Sequence, residues 1–259
     1  MTLRAAIFDI YGTLLEVGPP RPDAQLRWGL LWQARLNTEP RLSLEQFSAA
    51  CERLIADEHA AAQARGIAHP EVYWPDVVSA VLPEFSHLPE SERSDFRFYH
   101  AQMAHTVRLM PGAADALRQF QPGHLLLGLA SNCQPYTLRE FDTTLAGVSL
   151  SRKLFAPDLC FFSFEHGFSK PDPHVFQILI ARLAALGIAP HQTLMVGDRL
   201  DHDITPARAC GWQTWQLTAS PTEDGRGAGD WHQFTHHWHA QPEASPPPKV
   251  LKKAATEIL

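Results

Sequence analysis

The chain has 259 residues, of which 45% are apolar, and its 22 Lys and Arg against 28 Asp and Glu give a formal net charge of −6. Without a basic field to attract phosphate backbones, this charge balance argues against a nucleic-acid partner. No apolar run approaches the ~20 residues of a membrane helix, and the four cysteines are widely spaced with no CxxC pair. We therefore expect a cytoplasmic protein with reduced thiols and no membrane partner.

Five short apolar runs predict buried strands, because their hydrophobicity is continuous rather than alternating. These runs cover residues 5–10, 125–132, 159–164, 193–198 and 213–217. Helical patterns lie between them at 111–119 and at 173–186, and the second ends before Gly187, a glycine suited to a helix C-terminus. The alternation of strands and helices predicts an α/β fold, a doubly wound, Rossmann-like parallel sheet.

A long helical insert follows the first predicted strand. Residues 17–109 contain no strand pattern, whereas helical periodicity runs around 23–36, 43–64 and 90–108. Ser43 and Gln46 form a capping-box pair at the start of the second of these helices. An α/β sequence interrupted in this way predicts a core with an inserted helical domain.

The sequence thus divides into three parts. We predict a core formed by residues 1–17 and 109–220, a helical insert at 18–108, and a C-terminal extension at 221–259. In the extension we expect a loop, an amphipathic helix near 230–239, a proline spacer, and a short terminal helix or disordered tail.

Polar side chains follow the predicted strands at the edge where ligands bind in open α/β sheets. They are Asp9 after the first strand, Ser131 and Asn132 after the second, Lys170 before the 173–186 helix, and Asp198, Asp201 and Asp203 after the fourth. Carboxylates that converge repel one another unless a cation lies between them, and hard oxygen ligands suit Mg²⁺. We therefore expect a magnesium site at this edge, with Lys170 able to hold both a nucleophile and a substrate oxygen.

Four segments carry these residues, and together they resemble the four ordered motifs of the haloacid dehalogenase-like (HAD) hydrolase superfamily. The segments are Phe8-Asp9-Ile10-Tyr11-Gly12-Thr13-Leu14, Ala130-Ser131-Asn132, Ser169-Lys170-Pro171-Asp172-Pro173, and the run from Val196 to Ile204. The resemblance covers residues 5 to about 217, and the helical insert lies where this family has its type C1 cap. A single motif would be weak, whereas four in order with compatible spacing are specific. The resemblance implies a hydrolase with a Rossmann-like core and a helical cap.

The resemblance also implies catalytic roles. These fall to Asp9, Tyr11, Thr13, Ser131, Asn132 and Lys170. Asp9 would be the nucleophile that forms a covalent aspartyl intermediate, and Lys170 would stabilise the charge. Thr13 would support the turn after the first strand, and Ser131 would hydrogen-bond the transferring group.

The metal site implied by the resemblance comprises Asp9, Tyr11, Asp198 and Asp203. Mg²⁺ would bind Asp9, Asp198 and the backbone carbonyl of Tyr11. Asp203 would orient Asp198 or a metal-bound water.

Tyr11 departs from the phosphatase pattern, in which the residue two positions after the nucleophile is a second Asp that acts as general acid and base. A phenol with a reference pKa near ~10 is a poor general base at neutral pH and a weaker acid than a carboxyl group. General acid–base catalysis contributes roughly 10²–10⁴-fold, so an ordinary alkyl phosphate should turn over slowly. We therefore expect a Mg²⁺-dependent phosphohydrolase that acts through an aspartyl-phosphate on a small phosphorylated metabolite with a good leaving group.

Two alternatives stay open. Tyrosine at this position resembles the 2-haloacid dehalogenases, whose attack at carbon needs neither a metal nor a leaving-group proton, although Asp198 departs from their pattern. Those enzymes also hold the substrate carboxylate with an Arg next to a Trp, for which Arg35 and Trp32 are only an approximate match. The other alternative is a weakly active or non-catalytic member that binds a phosphorylated ligand or a protein.

A few residues outside the motifs are weaker candidates. Arg21, Arg27 and Tyr73 in the helical insert are weak candidates for substrate contact, and Glu165 is a weak candidate for reaching the site. His232 and His236 are four residues apart, a spacing that zinc sites use. For the two histidines we favour a solvated helix face, because the stretch is flanked by Gly and Pro loops. We expect a monomer or a homodimer.

Overall fold

A six-stranded parallel sheet forms the centre of the molecule. The computed structural model describes residues 3–120, 125–219 and 227–239. Along the chain its strands are β1 (Ala5–Phe8), β2 (Leu15–Gly18), β3 (Thr106–Leu109), β4 (Leu126–Ser131), β5 (Phe155–Phe162), β6 (Thr193–Gly197), β7 (Gln213–Leu217) and β8 (Ala228–Gly229). Six of them pair in the order β5-β4-β1-β6-β7-β8, and every pair in this sheet is parallel. The predicted Rossmann-like α/β sheet is confirmed.

Both faces of this sheet are buried, which explains why its strands are continuously apolar. Along β1, Phe8 packs into the core on one face, whereas Ile7 packs into the core on the other, and both are fully buried. The covering helices are α5 (Ala113–Phe120), α6 (Pro135–Ala146), α7 (Pro173–Ala185), α8 (Thr205–Ala209) and α9 (Trp231–His239). Gly187, with a φ of +68°, follows α7 in the left-handed conformation expected just beyond a helix end.

The helical insert folds around its own apolar cluster. Its helices are α1 (Ala24–Leu36), α2 (Leu44–Ala64), α3 (Trp74–Val81) and α4 (Glu90–Ala104), with a short 3₁₀ helix at Pro83–His87. Trp28, Phe47 and Phe96 are fully buried between them. The predicted capping box at the start of α2 is present, since the side chains of Ser43 and Gln46 each accept a hydrogen bond from the other's backbone N–H.

The expectation that residues 17–109 hold no strand was wrong at both ends. β2 and β3 pair antiparallel, with Leu15 opposite Leu109 and Gly18 opposite Thr106. The predicted helix at 90–108 accordingly ends at Ala104. A four-residue strand is too short to show an alternating pattern, and its partner lies about 90 residues away along the chain, so no local signal predicted the ribbon. Helix α3 was also not predicted.

A loop of the insert contacts the core beside the carboxyl edge of the sheet. Glu71 N–H donates to the carbonyl of Gly167 at 3.0 Å, and Ser169 N–H donates to the carbonyl of His69 at 2.9 Å. The side chain of Gln134, three residues after β4, accepts from Trp74 N–H at 2.9 Å and donates to Glu71 Oε1 at 3.0 Å. These bonds hold the insert against the edge at which the predicted site residues lie.

The C-terminal extension contributes a strand and a helix to the core. Strand β8 pairs with β7, and helix α9 covers the predicted helical stretch near 230–239. The predicted proline spacer and terminal segment, residues 245–259, lie outside the described residues. All four cysteines are unpaired, as predicted. Among the described helices, none combines the length and the apolar character that a membrane crossing needs.

Candidate active site

Three adjacent strands bring the predicted site residues together. β1 lies between β4 and β6, and at their carboxyl ends stand Asp9, Ser131 and Asp198. Gly12 makes the close approach of the first loop possible, because its φ is +73° and an added Cβ would lie 2.4 Å from Asp198 Oδ2. The sheet order therefore accounts for the convergence of residues that are almost 190 positions apart.

Lys170 connects two of the carboxylates. Its side chain is 2% exposed, and its Nζ donates to Asp9 Oδ1 at 2.8 Å and to Asp203 Oδ1 at 2.5 Å. Burial acts to lower the pKa of Lys170, but the charges of Asp9 and Asp203 outweigh it, so the pKa is raised and the ammonium stays protonated. Burial raises the pKa of Asp9 to about 6, with the negative charges of Asp203 and Asp198 adding to the shift and Lys170 opposing it.

Asp9, Asp198 and Asp203 can converge on one cation. Each offers a carboxylate oxygen, and these oxygens lie within 4.8 Å of one another. Three carboxylates face one ammonium, and burial together with the charge of Asp203 raises the pKa of Asp198. Such a set of hard oxygen donors with excess negative charge fits Mg²⁺.

The hydrogen bonds separate the three carboxylates by role. Asp203 is 1% exposed and has both oxygens engaged, Oδ1 by Lys170 and Oδ2 by the backbone N–H of Arg199 at 3.1 Å. Asp9 Oδ2 and Asp198 Oδ1 have only long contacts with the Thr13 hydroxyl, at 3.4 and 3.5 Å. These oxygens of Asp9 and Asp198 are thus the ones left for a cation, whereas Asp203 is bonded to Lys170 and to the backbone of Arg199 rather than to Asp198.

Ser131 and Asn132 have different surroundings although they are neighbours. Ser131 is 1% exposed, and its Oγ has no hydrogen-bond partner among the described residues, which suits a hydroxyl that binds a transferring group. Asn132 instead holds the backbone of Lys170: its Oδ1 accepts from Lys170 N–H at 2.7 Å, and its Nδ2 donates to the Lys170 carbonyl at 2.8 Å. The amide of Asn132 therefore positions Lys170.

The hydroxyl of Tyr11 is engaged by a buried carboxylate that the sequence did not point to. Tyr11 donates a short hydrogen bond to Glu140 Oε2 on α6 and also lies 3.1 Å from Thr137 Oγ1. Gln102 and His105, at the end of α4 and just after it, contact Glu140 Oε1 through their Nε2 atoms at 2.7 and 3.1 Å. Burial and the charge of Glu140 raise the pKa of Tyr11. We call Tyr11, Thr137, Glu140, Gln102 and His105 the Tyr11 network.

The weaker candidates lie apart from this site. Tyr73 is 44% exposed and stacks on Phe164. Arg35 is paired with Asp95 at 3.0 Å. The remaining candidates are exposed: Arg21, Arg27, Glu165, His232 and His236. None of these residues contacts the carboxylate cluster within the described ranges.

Comparison with known proteins identifies the family. A family model of haloacid dehalogenase-like hydrolases matches residues 3–211. The chain is 35% identical over 103 residues to the phosphoserine phosphatase of Thermus thermophilus, covering 40% of this chain and 38% of that protein. It is 26% identical over 152 residues to the glyceraldehyde 3-phosphate phosphatase of Methanocaldococcus jannaschii, covering 59% of this chain and 62% of that protein. The aligned region is thus less than two thirds of either relative.

A dehalogenase has the same fold. The 2-haloacid dehalogenase of Pseudomonas syringae pv. Tomato DC3000 superposes with a TM-score of 0.56 at 16% identity, covering 92% of this chain and 99% of that one. Phosphatases and dehalogenases therefore both occur among the similar proteins, and the fold alone does not distinguish between the two chemistries.

Proposed function

Because the chain belongs to the haloacid dehalogenase-like hydrolases, we propose that it is a Mg²⁺-dependent phosphohydrolase that forms an aspartyl-phosphate on Asp9. Its substrate would be a small phosphorylated metabolite with a good leaving group. The observation that carries the proposal is the cluster of Asp9, Asp198 and Asp203 around a single Lys170. Within this proposal, residues 1–17 and 109–220 form the catalytic core and residues 18–108 the cap.

The chain's own residues supply most of the reaction. Asp9 attacks phosphorus, the bond to the leaving oxygen breaks, and water then cleaves the Asp9–phosphate bond to release inorganic phosphate. Lys170 keeps Asp9 oriented, and the free Ser131 hydroxyl donates to a phosphoryl oxygen. Asp9, Asp198 and the Tyr11 carbonyl would hold Mg²⁺, which when bound offsets the charge of the carboxylates and of the phosphoryl group.

The Tyr11 network supports the restriction to good leaving groups. The Tyr11 hydroxyl donates a hydrogen bond to Glu140, and the raised pKa of the phenol makes Tyr11 a poor proton donor to a leaving group. The carboxylate that contacts Tyr11, that of Glu140, is already engaged by the phenol, Gln102 and His105, so it does not act as the missing general acid. A leaving group that departs as a stable anion, such as an aryl oxide or a carboxylate, needs no such acid.

Dehalogenation is the second candidate, and Tyr11 is the observation that favours it, because displacement of a halide needs no leaving-group proton. Two features weigh against it. The three carboxylates at the site form a set that suits a cation, whereas attack at carbon needs none. Arg35, the approximate match to a carboxylate-binding Arg, is already paired with Asp95.

The test is hydrolysis of para-nitrophenyl phosphate and acetyl phosphate, each with Mg²⁺ and with excess chelator. We expect phosphate release that requires the metal and is abolished by Asp9→Asn. Asp201→Asn, at an exposed carboxylate, should leave phosphate release unchanged. Chloride release from 2-chloropropionate in chelator would instead support the dehalogenase. No turnover in either assay, together with measurable binding of phosphorylated compounds, would support a ligand-binding member of the family.

We also propose a cytoplasmic location and a monomer or homodimer as part of this function. A small-molecule hydrolase needs no further partner. Light scattering of the purified chain measures the oligomeric state directly, and a larger assembly would contradict this part of the proposal.

A further inference from the structure

A tryptophan from the C-terminal extension reaches the loop that follows the proposed nucleophile. Trp231, the first residue of α9, is 2% exposed, and its indole Nε1–H donates to the backbone carbonyl of Thr13 at 2.9 Å. Trp231 lies beyond residues 3–211, the region that the family model matches. The contact therefore joins a segment outside the recognised family region to its first motif.

The Thr13 carbonyl depends on this donor. Thr13 is fully buried, and in the described part of the chain no second donor reaches its carbonyl. The Thr13 hydroxyl lies 3.4 Å from Asp9 Oδ2 and 3.5 Å from Asp198 Oδ1. Without the indole N–H, a buried carbonyl would lose its hydrogen bond, and the turn would shift to regain one. Such a shift would move the side chain that touches both carboxylates.

The position of Trp231 is itself fixed from three sides. Its ring stacks on Phe8, the residue before Asp9, with the centroids 6.1 Å apart. On another side Gly112 leaves the room that Trp231 occupies, because an added Cβ there would lie 2.9 Å from Trp231 Cβ. At the start of α9, Asp230 N–H donates to Gln233 Oε1 and Gln233 N–H to Asp230 Oδ1, at 2.9 and 2.8 Å. A side chain held in this way can transmit a fixed geometry to the loop it bonds.

We propose that Trp231 is a positioning residue for the nucleophile loop and that α9 serves as its support. The kinetic part of this inference rests on the proposed phosphohydrolase function. Packing alone would need only an aromatic ring at this place. The indole N–H adds a hydrogen bond to the turn that carries Thr13, so the N–H is the group whose loss should matter.

Trp231→Phe removes the N–H and keeps a ring, and Trp238→Phe is the matched control on the same helix, because Trp238 packs on Phe120 and Phe234. We expect hydrogen exchange at the amides of residues 9–15 to rise about tenfold in Trp231→Phe and to stay unchanged in the control. With para-nitrophenyl phosphate, kcat should fall by about 10- to 100-fold while KM changes less than twofold. A purely structural tryptophan would give neither the localised exchange nor the split between kcat and KM.

Equal exchange in residues 9–15 for the two variants would overturn the inference, whatever the activity of the protein. If the wild type hydrolyses nothing but the exchange rises in Trp231→Phe alone, the proposed function fails and the positioning role stands. Should Trp231→Phe not fold, Gln233→Ala loosens the start of α9 at an exposed residue and should give a smaller rise in the same peptide. Unchanged exchange in that variant would likewise contradict the inference.

Discussion

Two buried polar clusters flank the nucleophile loop, and they balance charge in opposite ways. Around Asp9 three carboxylates lie close together and Lys170 pairs with two of them, so negative charge is in excess. Around Tyr11 a single carboxylate, Glu140, receives the Tyr11 hydroxyl and contacts the side chains of Gln102 and His105. The first cluster leaves oxygens of Asp9 and Asp198 for the cation that we propose, whereas the second satisfies its carboxylate with the chain's own side chains. Under the proposed function, the first cluster performs the chemistry and the second maintains the geometry of the loop.

The largest expected effect comes from removing the positive charge of Lys170, which pairs with Asp9 and Asp203. Lys170→Met should lower kcat for para-nitrophenyl phosphate by about 100-fold or more, because Asp9 loses its orienting partner and the phosphoryl group loses a positive charge. It should also destabilise the fold by about 3–5 kcal/mol, because two buried carboxylates lose their partner. Lys153→Met, at an exposed lysine, is the control. Full activity in Lys170→Met would refute the assigned role.

A second prediction introduces a general acid into the Tyr11 network. Tyr11→Asp alone would put a new carboxylate near buried Glu140, and the two like charges would compete. Tyr11→Asp combined with Glu140→Gln should therefore raise turnover of alkyl phosphates, such as sugar phosphates, by about tenfold over the wild type. The single Tyr11→Asp variant should gain less, and Glu140→Gln alone should gain nothing. An equal gain from the single and double variants would mean that Glu140 does not influence this position.

Stability against pH should distinguish the metal-free protein from the loaded one. The pKa of Asp9 is raised to about 6 in the fold, so between about pH 4 and pH 6 the folded state binds a proton that the unfolded state has released. This group therefore favours folding at low pH, and its contribution is lost as the pH rises through 6. In chelator, thermal unfolding should show this loss, and Asp9→Asn should remove it. Added Mg²⁺ should raise the unfolding temperature most above pH 6, and an equal rise at pH 5 would contradict the assignment.

The smallest expected effect is that of Tyr11→Phe. Because the Tyr11 hydroxyl donates its hydrogen bond to Glu140, its loss should change kcat for para-nitrophenyl phosphate by less than about threefold. Glu140 keeps its contacts with Gln102 and His105, so the free energy of unfolding should fall by only about 1 kcal/mol. Steady-state kinetics and thermal unfolding measure the two quantities. A 100-fold fall in kcat would show instead that the phenol takes part in the reaction.

The sequence was sufficient for the parallel sheet and for the convergence of Asp9, Lys170 and Asp198. Continuous apolar runs predict doubly covered strands, and polar residues at the ends of adjacent parallel strands meet at one edge. These signals are local, because each lies within a few residues of its strand. The strand at 213–217 was predicted to the residue.

The Tyr11 network and the Trp231 contact could not be predicted in this way. Tyr11 and Glu140 are separated by 129 positions, and Trp231 and Thr13 by 218. Glu140 lies in the middle of a helix, where a carboxylate is ordinarily solvated, but α4 and β3 pack on α6 and Tyr11 contacts it, so it is 1% exposed. No local periodicity encodes such a contact, so it is visible only once the elements are assembled.

The β2–β3 ribbon makes the helical insert a module. Because Gly18 and Thr106 are opposite each other, the chain leaves the core and returns to it at nearly the same point. Closing a loop of about 90 residues instead of ten costs only about 2 kcal/mol more in chain entropy. The core can therefore tolerate inserts of very different length at this place. An evolving protein could exchange this insert without rebuilding the sheet that carries Asp9, Ser131 and Asp198.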